Sequence, residues 1–425
     1  MTDAQLLRFL VELTVLCLAA RIGGEIAARL RIPLHVGELA MGIALGPSLL
    51  GWVWPGGFDS LFPADAATRS LLDVVSWIGV VMLALLAGLE TRLGVLRTAG
   101  RAVLGGWIGG FGVPFAAGLA LGLGVPGSLV PGGVDRPVFA LFLATAMSIS
   151  AIPVIARILM DLDLYGTRLG MVILSAAIAD DTVGWIVLAV VAGLAGGDLE
   201  AGSIARIVLL TAAFVAGAFT IGRIVVARSI AASRRLRVPF GELSTMLLLV
   251  FAFGAVTQWI GVHLVLGAFV AAILIGREPR LDPDSVAAVR HLGMGLFVPF
   301  FFAYTGIKVD LTSLRGSALA FAAVAVAVAC GSKVFGGWAG TRLGGLPHWE
   351  ALAVGFGLNA RGAMELVIAA IGLSIGVLDE PTYATIVLIA VLTTVMAAPL
   401  LQICVRRAGI TARVPVGDEA AAGGP

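Results

Sequence analysis

About thirteen runs of mostly apolar residues follow one another along nearly the whole chain. Their approximate limits are 5–28, 33–50, 71–90, 101–124, 137–160, 168–195, 203–226, 241–258, 261–276, 290–307, 316–339, 351–374 and 382–404. A helix crosses the hydrocarbon of a bilayer with about 20 such residues, whereas a membrane strand needs only about half that number. Inside lipid every backbone N–H and C=O must be bonded within the protein, which leaves helices or closed barrels. Runs of this length therefore predict an all-α polytopic membrane protein with about thirteen spans. Turn-rich breaks such as WPGGFDSLFPAD after the second run and VPGSLVPGGVDRP after the fourth separate them.

Composition agrees. Only 13% of residues are charged and 59% are hydrophobic, against about a quarter charged in soluble domains. Mean hydropathy is +1.04. The 56 glycines suit helices that pack closely in lipid. A net charge of +2 points to no nucleic-acid partner. Cys17, Cys330 and Cys404 sit in apolar runs at unrelated spacings and read as small hydrophobes. The opening MTDAQLLRFLVELTVL lacks a basic leader region and a small-residue cleavage site, so a first membrane helix is expected there.

Arginine marks orientation, because positive charge stays on the cytoplasmic side. One alternate set of loops holds Arg29 and Arg31, then Arg92, Arg97 and Arg101, then Arg157 and Arg168. It continues with Arg223, Arg228, Arg234, Arg235 and Arg237, then Arg277, Arg280 and Arg290, then Arg342, with Arg406, Arg407 and Arg413 in the tail. The opposite set holds only Arg8, Arg69, Arg136, Arg206, Lys308 and Arg315. This alternation predicts an outside N-terminus, a cytoplasmic C-terminus and a short tail over 405–425.

The halves are weakly alike. GELAMGIALG (Gly37 to Gly46) shares glycine spacing with GAFVAAILIG (Gly267 to Gly276), and AGLETRL resembles TGIKVDL at an offset of about 220 residues. With the orientation above, runs one to six and eight to thirteen form inverted six-helix repeats joined by the seventh, a common plan in secondary transporters.

Ionisable groups inside a membrane cost about 2.5–3.5 kcal/mol or more each and so need a reason. Asp180 and Asp181 lie mid-run in SAAIADDTVGW. Neighbours on a helix point about 100° apart, so the two carboxylates meet different surroundings. Lys333, one of two lysines in the chain and the one inside an apolar run, is the natural partner for one of them. The other is left to hold something mobile. A carboxyl withdrawn from water keeps its proton more readily, and a cation lying against it would displace that proton. Competition of this kind at one site is enough for antiport. The alternative is an inert ion cluster, but two acids with one base leave it unbalanced.

The fifth run, LFLATAMSISAIPVIARIL, carries Thr145, Ser148, Ser150 and Pro153 at mid-depth. Proline removes a backbone bond and pushes its predecessor out of helical geometry, so unwound backbone lining a cavity is one expectation. A simple kink, with hydroxyls bonded back to carbonyls, is the other. The twelfth run, AVGFGLNARGAMELVIA, places Gly355, Gly357, Asn359, Arg361, Gly362 and Glu365 at mid-span. Glycines and a buried arginine suggest a second interrupted helix; the alternative is a bent but continuous helix stabilised by a salt bridge between Arg361 and Glu365, four apart on one face. Interrupted helices at matching places in two repeats are the best sequence pointer to a transport site. Glu38 and Glu90 fall near run ends and read as interfacial; Glu12 and Glu242 lie deeper, with no partner evident. His35, His263, His291 and His348 lie at or near loops and read as satisfied or solvated.

In order along the chain, GELAMGIALGPSLLG, AGLETRL, the ADD run, LGAFVAAILIG, FVPFFFAYTGIKVDL, GSKVFGG and GLNARGAMELVIA resemble bacterial monovalent cation:proton antiporters. The likeness is to the second branch of that superfamily, the sodium/hydrogen exchanger and Kef-type transporters, over about residues 5–404.

The resemblance implies the sodium/proton antiporter fold, with crossed discontinuous helices, in a homodimer within the inner (plasma) membrane. It implies a core of helices at about 101–195 and 316–404, dimerisation helices at about 5–90 and 241–307, and a linker helix at 203–226. The core is expected to move like an elevator against the dimerisation part. By the same resemblance Asp181 takes Na⁺ (or K⁺) and the proton, Asp180 pairs with Lys333 beside it, Thr145 and Ser148 join the ion-binding and proton-transfer residues from one broken helix, and Arg361 belongs to the other. Neither cofactor nor covalent chemistry is implied; the partners are a monovalent cation, H⁺ and the lipid bilayer. Kef-type potassium systems usually carry glutamine at the position of Asp180 and often append a cytoplasmic nucleotide-binding domain. Those departures favour sodium, with K⁺/H⁺ antiport or Kef-type potassium efflux as the alternative. An intramembrane aspartyl protease would need its two acids on facing helices, and a passive channel would not couple to protons.

Overall fold

The computed structural model describes residues 2–30, 32–63, 65–91, 100–165, 167–195, 201–235, 239–261, 263–279 and 281–410. Arg31, Arg92, Arg97, Arg237, Arg280 and Arg413, which the orientation reading uses, lie outside the described residues, as do the side chains of Glu90, Pro153 and Arg157.

Nearly all the apolar runs become helices, because a backbone in lipid has no water to bond. They are α1 (Asp3–Leu30), α2 (Leu34–Leu45), α3 (Ala66–Glu90), α4 (Arg101–Gly124), α5 (Arg136–Ser148), α6 (Ile152–Asp161) and α7 (Arg168–Ala195). Next come α8 (Ala201–Gly217), which passes through a wide π turn at Ala218–Gly222 into α9 (Arg223–Ser233), then α10 (Gly241–Trp259) and α11 (Leu264–Gly276). A second π turn, Gly293–Phe297, joins α12 (Pro283–Leu292) to α13 (Val298–Ile307). The chain continues with α14 (Ser317–Leu343), α15 (His348–Leu358), α16 (Ala363–Ser374) and α17 (Glu380–Arg407). Short helical turns at Leu50–Val53 and Pro55–Leu61 fill the loop between α2 and α3.

Among the described residues nine helical stretches are long and apolar enough to cross a membrane, three of them running through a turn (Leu34–Val53, Leu209–Ser233 and Pro283–Ser313), and three shorter apolar helices accompany them. The difference from thirteen has physical causes. The fifth and twelfth runs are each cut into halves too short to span alone, and α11 has only 13 residues. α1 is long but carries Arg8, Glu12, Arg21 and Glu25.

Two groups of helices emerge from the packing. In one, α4 lies against α5, α7 and α14, while α15 packs on α14 and α17. In the other, α1, α2, α3, α10, α11 and α13 form a panel. The tightest seam runs between α4 and α14. A Cβ at Gly105 would collide with the Gly340 carbonyl oxygen, and one at Gly109 with that of Gly336. Bare glycine on both sides lets these backbones touch, as small residues do at membrane helix interfaces. That seam fixes the helix bearing Lys333.

Candidate functional site

The site is built where two helices stop in the middle of the core. α5 ends at Ser148, Ile149 and Ala151 are extended, and α6 starts at Ile152 with Pro153 in its first turn. Across from it α15 ends at Leu358 and α16 begins at Ala363. The two gaps cross: the Ala151 N–H donates to the Ala360 carbonyl at 3.2 Å.

Interrupting a helix in lipid orphans backbone groups at each end, and each must find a partner. The carbonyls closing α5 are taken by two cations. Lys333 Nζ donates to the Ser148 carbonyl. The Arg361 guanidinium donates to the carbonyls of Ala146 at 3.0 Å and Met147 at 2.6 Å. Positive charge also suits that position because a helix C-terminus carries about half a negative charge. The Leu358 carbonyl lies 2.8 Å from the Ser150 hydroxyl, and the Arg361 carbonyl accepts from the Thr394 hydroxyl. Unwound backbone is thus satisfied by side chains of α14 and α17 and by those of the two gaps themselves.

Two acids accompany the two cations. Lys333 Nζ and Asp180 Oδ2 are 2.6 Å apart, both with no exposed surface. The Ser150 hydroxyl is 2.7 Å from the same Oδ2; its single proton serves either Asp180 or Leu358. Arg361 pairs with Glu365 one turn along α16. These four charges cancel. Asp181 remains: it is 1% exposed and its Oδ2 has no hydrogen-bond partner. One turn on, Trp185 lies next to Asp181 and stacks on Phe269 of α11 at 5.5 Å, so this part of α7 lies where the core meets the panel. Gly184 faces Ile149 of the α5–α6 gap, where a Cβ would stand 2.6 Å from that side chain. Glycine there lets α7 sit against the unwound segment.

The other sequence candidates divide. Thr145 and Ser148 bond back to the carbonyls of Leu141 at 2.7 Å and Thr145 at 3.0 Å, which occupies their protons but leaves oxygen lone pairs free. Asn359 is buried at the crossing with Oδ1 unbonded. Gly362 meets the panel closely: a Cβ there would lie 2.9 Å from His35 Nε2 of α2 and 2.8 Å from Val154. His35 stands in the first turn of α2, next to the loop as expected, but it is neither solvated nor satisfied: it packs on Phe302, faces the break in the core, and its Nε2 is buried without a partner. Glu38, expected at the interface, is buried at 8% exposure against α1. Glu242 has partners the sequence did not reveal: Arg234 at 2.9 Å and the Asp282 N–H at 2.6 Å. The three cysteines are free thiols.

The family model "Sodium/hydrogen exchanger, transmembrane" matches residues 13–407. The chain belongs to the sodium/hydrogen exchanger family. Among curated proteins it is 33% identical over 405 residues to the Na(+)/H(+) antiporter NhaS4 of Synechocystis, covering 93% of this chain and 97% of that one. It is 32% identical over 397 residues to Cation/H(+) antiporter 18 of Arabidopsis thaliana, covering 92% of this chain but 48% of the relative. The chain thus spans about half the length of the plant relatives it matches. It is also 28% identical over 394 residues to the Na(+)/H(+)-K(+) antiporter GerN of Bacillus cereus, covering 93% and 95% of the two chains. Among solved structures, the sodium proton antiporter MjNhaP1 from Methanocaldococcus jannaschii superposes with a TM-score of 0.63 at 14% identity, over 95% of this chain and 97% of that one. That likeness establishes the antiporter fold, which the sequence resemblance anticipated.

Proposed function

We propose that this exchanger-family chain is a secondary active antiporter. It trades protons for a monovalent cation, Na⁺ first among them, at Asp181. The observation that carries the reading is the charge sum at the crossing. Asp180 with Lys333 and Glu365 with Arg361 cancel in pairs, and Asp181 is left buried with an unbonded oxygen. An uncompensated buried charge is disfavoured by several kcal/mol. One proton or one monovalent cation neutralises it; both together would overshoot. Mutually exclusive occupancy follows, and with it obligatory exchange once the site faces each side of the membrane by turns. The names of NhaS4 and GerN support Na⁺.

In this reading the core carrying Asp181 moves against the panel, two copies associate through the panel, and the arginine-rich loops face the cytoplasm of a plasma membrane. The interrupted helices let side chains move past backbone that is already satisfied. K⁺/H⁺ exchange is the second reading, favoured by 27% identity over 412 residues to K(+)/H(+) antiporter 1 of Saccharomyces cerevisiae and by the K(+) in the name of GerN.

The test is proton flux in proteoliposomes on addition of Na⁺, K⁺ or Li⁺, with the wild type and Asp181→Asn side by side. The wild type should release protons against at least one of the three ions and the variant against none. Exchange by the variant at the wild-type rate would remove Asp181 from the mechanism. Comparison of the three ions in the wild type separates sodium from potassium exchange.

A further inference from the structure

Away from the crossing, a cavity of about 630 Å³ lies between the panel and the core. Its walls come from α1, α3 and α13 on one side and from the end of α16 and start of α17 on the other; Glu12, Ser76, Trp77, Tyr304, Ala370 and Glu380 line it. Glu12, on α1, is 3% exposed, and its Oε1 is buried without a hydrogen-bond partner. Some of the nearby charges are paired with one another. Asp73 binds Lys308 at 2.7 Å and accepts from the Tyr304 hydroxyl at 3.0 Å, and Lys308 lies 4.2 Å over the Tyr304 ring. Arg69, exposed at the same cavity, and Arg8 act on Glu12 through space without forming an ion pair with it, while Glu380 adds a second carboxylate to the lining. A carboxylate enclosed this far and left unbonded needs a counter-charge, and the protein supplies none in contact.

We propose that this cavity is a second cation site, taking one partly hydrated monovalent inorganic cation on the Glu12 carboxylate. Ser76 and Tyr304 offer neutral hydroxyl oxygens beside it, a donor set that suits a hard alkali-metal ion. The site is distinct from Asp181. Ala370 stands eight residues beyond Gly362 on α16, about 12 Å from the crossing at 1.5 Å per residue. A low-dielectric cleft with unpaired negative charge concentrates cations near it, so the site stages ions for the core from the face bearing the N-terminus. The inference rests on the exchange reading only for the choice of ligand.

The experiment is a Rb⁺ or Tl⁺ soak of crystals of the full chain, read by anomalous difference density. Wild type should show a peak at ligating distance from the Glu12 carboxylate. Asp181→Asn should retain that peak, and Glu12→Gln should lose it. In proteoliposomes Glu12→Gln should raise the cation concentration for half-maximal exchange from that face by about tenfold. No cavity peak in wild type, or an unchanged one in Glu12→Gln, overturns the proposal. Should Glu12→Gln not fold, Ser76→Ala takes its place, and full occupancy in that variant counts against the site equally. Failure of the exchange reading would show as activity in Asp181→Asn and leave the cavity peak untouched, so the two outcomes are distinguishable.

Discussion

Removing one member of a buried ion pair strands the other where water cannot reach it, at a cost of about 3–5 kcal/mol. Lys333 is such a member, and it also caps the Ser148 carbonyl. Lys333→Ala should therefore lower the melting temperature in detergent markedly, and Lys333→Ala combined with Asp180→Asn should recover part of the loss by removing the stranded charge. Because Asp180 loses its counter-charge, the single variant should also change the charge moved per cycle, read as current in proteoliposomes under an imposed voltage. A melting curve and current both like the wild type would show that the pair does not form. Asp180, Asp181 and Lys333 stand out in the sequence because charge inside apolar runs is rare. Arg361 is different. Its pairing with Glu365 follows from four-residue spacing, but its bonds to the carbonyls of Ala146, Met147 and Ala329 involve backbone that has no side-chain signature and lies 32 to 215 residues away. No reading of spacing along one helix could have found them.

At the scale of elements, the broken helices were foreshadowed by Pro153 in one and by the glycines and Arg361 in the other, since both runs carry groups that sit poorly in a continuous helix in lipid. The crossing itself was implied by the family resemblance, but which backbone groups bond across it was not legible, because each contact joins residues some 200 positions apart. The α4–α14 seam carries a prediction of its own. Gly336→Leu should force the two backbones apart, displace Lys333 one turn away, and lower both melting temperature and exchange rate. Gly331, on the same helix but with nothing within 4 Å of an added Cβ, is the control. Gly331→Ala should be neutral or stabilise by up to about 1 kcal/mol through helix propensity. Thermal unfolding followed by size-exclusion chromatography checks both; equal behaviour of the two variants would show that close glycine contact does not hold the seam.

For the whole molecule, the decisive question is whether core and panel move past each other. They meet at Trp185 and Phe269, next to Asp181, and again at Gly362 and His35, next to Arg361. These contacts sit beside the charged crossing, and the Tyr383 hydroxyl of α17 also donates to the Thr305 carbonyl of α13 at 2.6 Å, so a core that shifts relative to the panel must break all three. Joining one should stop turnover while leaving cation binding intact. With Cys17, Cys330 and Cys404 replaced by alanine, Trp185→Cys and Phe269→Cys together can be bridged by a short reducible dithiol linker, the native rings being 5.5 Å apart. The bridged protein should lose exchange and regain it on reduction, measured on the same preparation so that any loss from the substitutions cancels. Cation-dependent thermal stabilisation should persist in the bridged form, because Asp181 stays buried in one state. Full exchange by a completely bridged preparation would mean that ions cross without relative motion at this contact, and alternating access would then have to arise within the core, at the crossing itself.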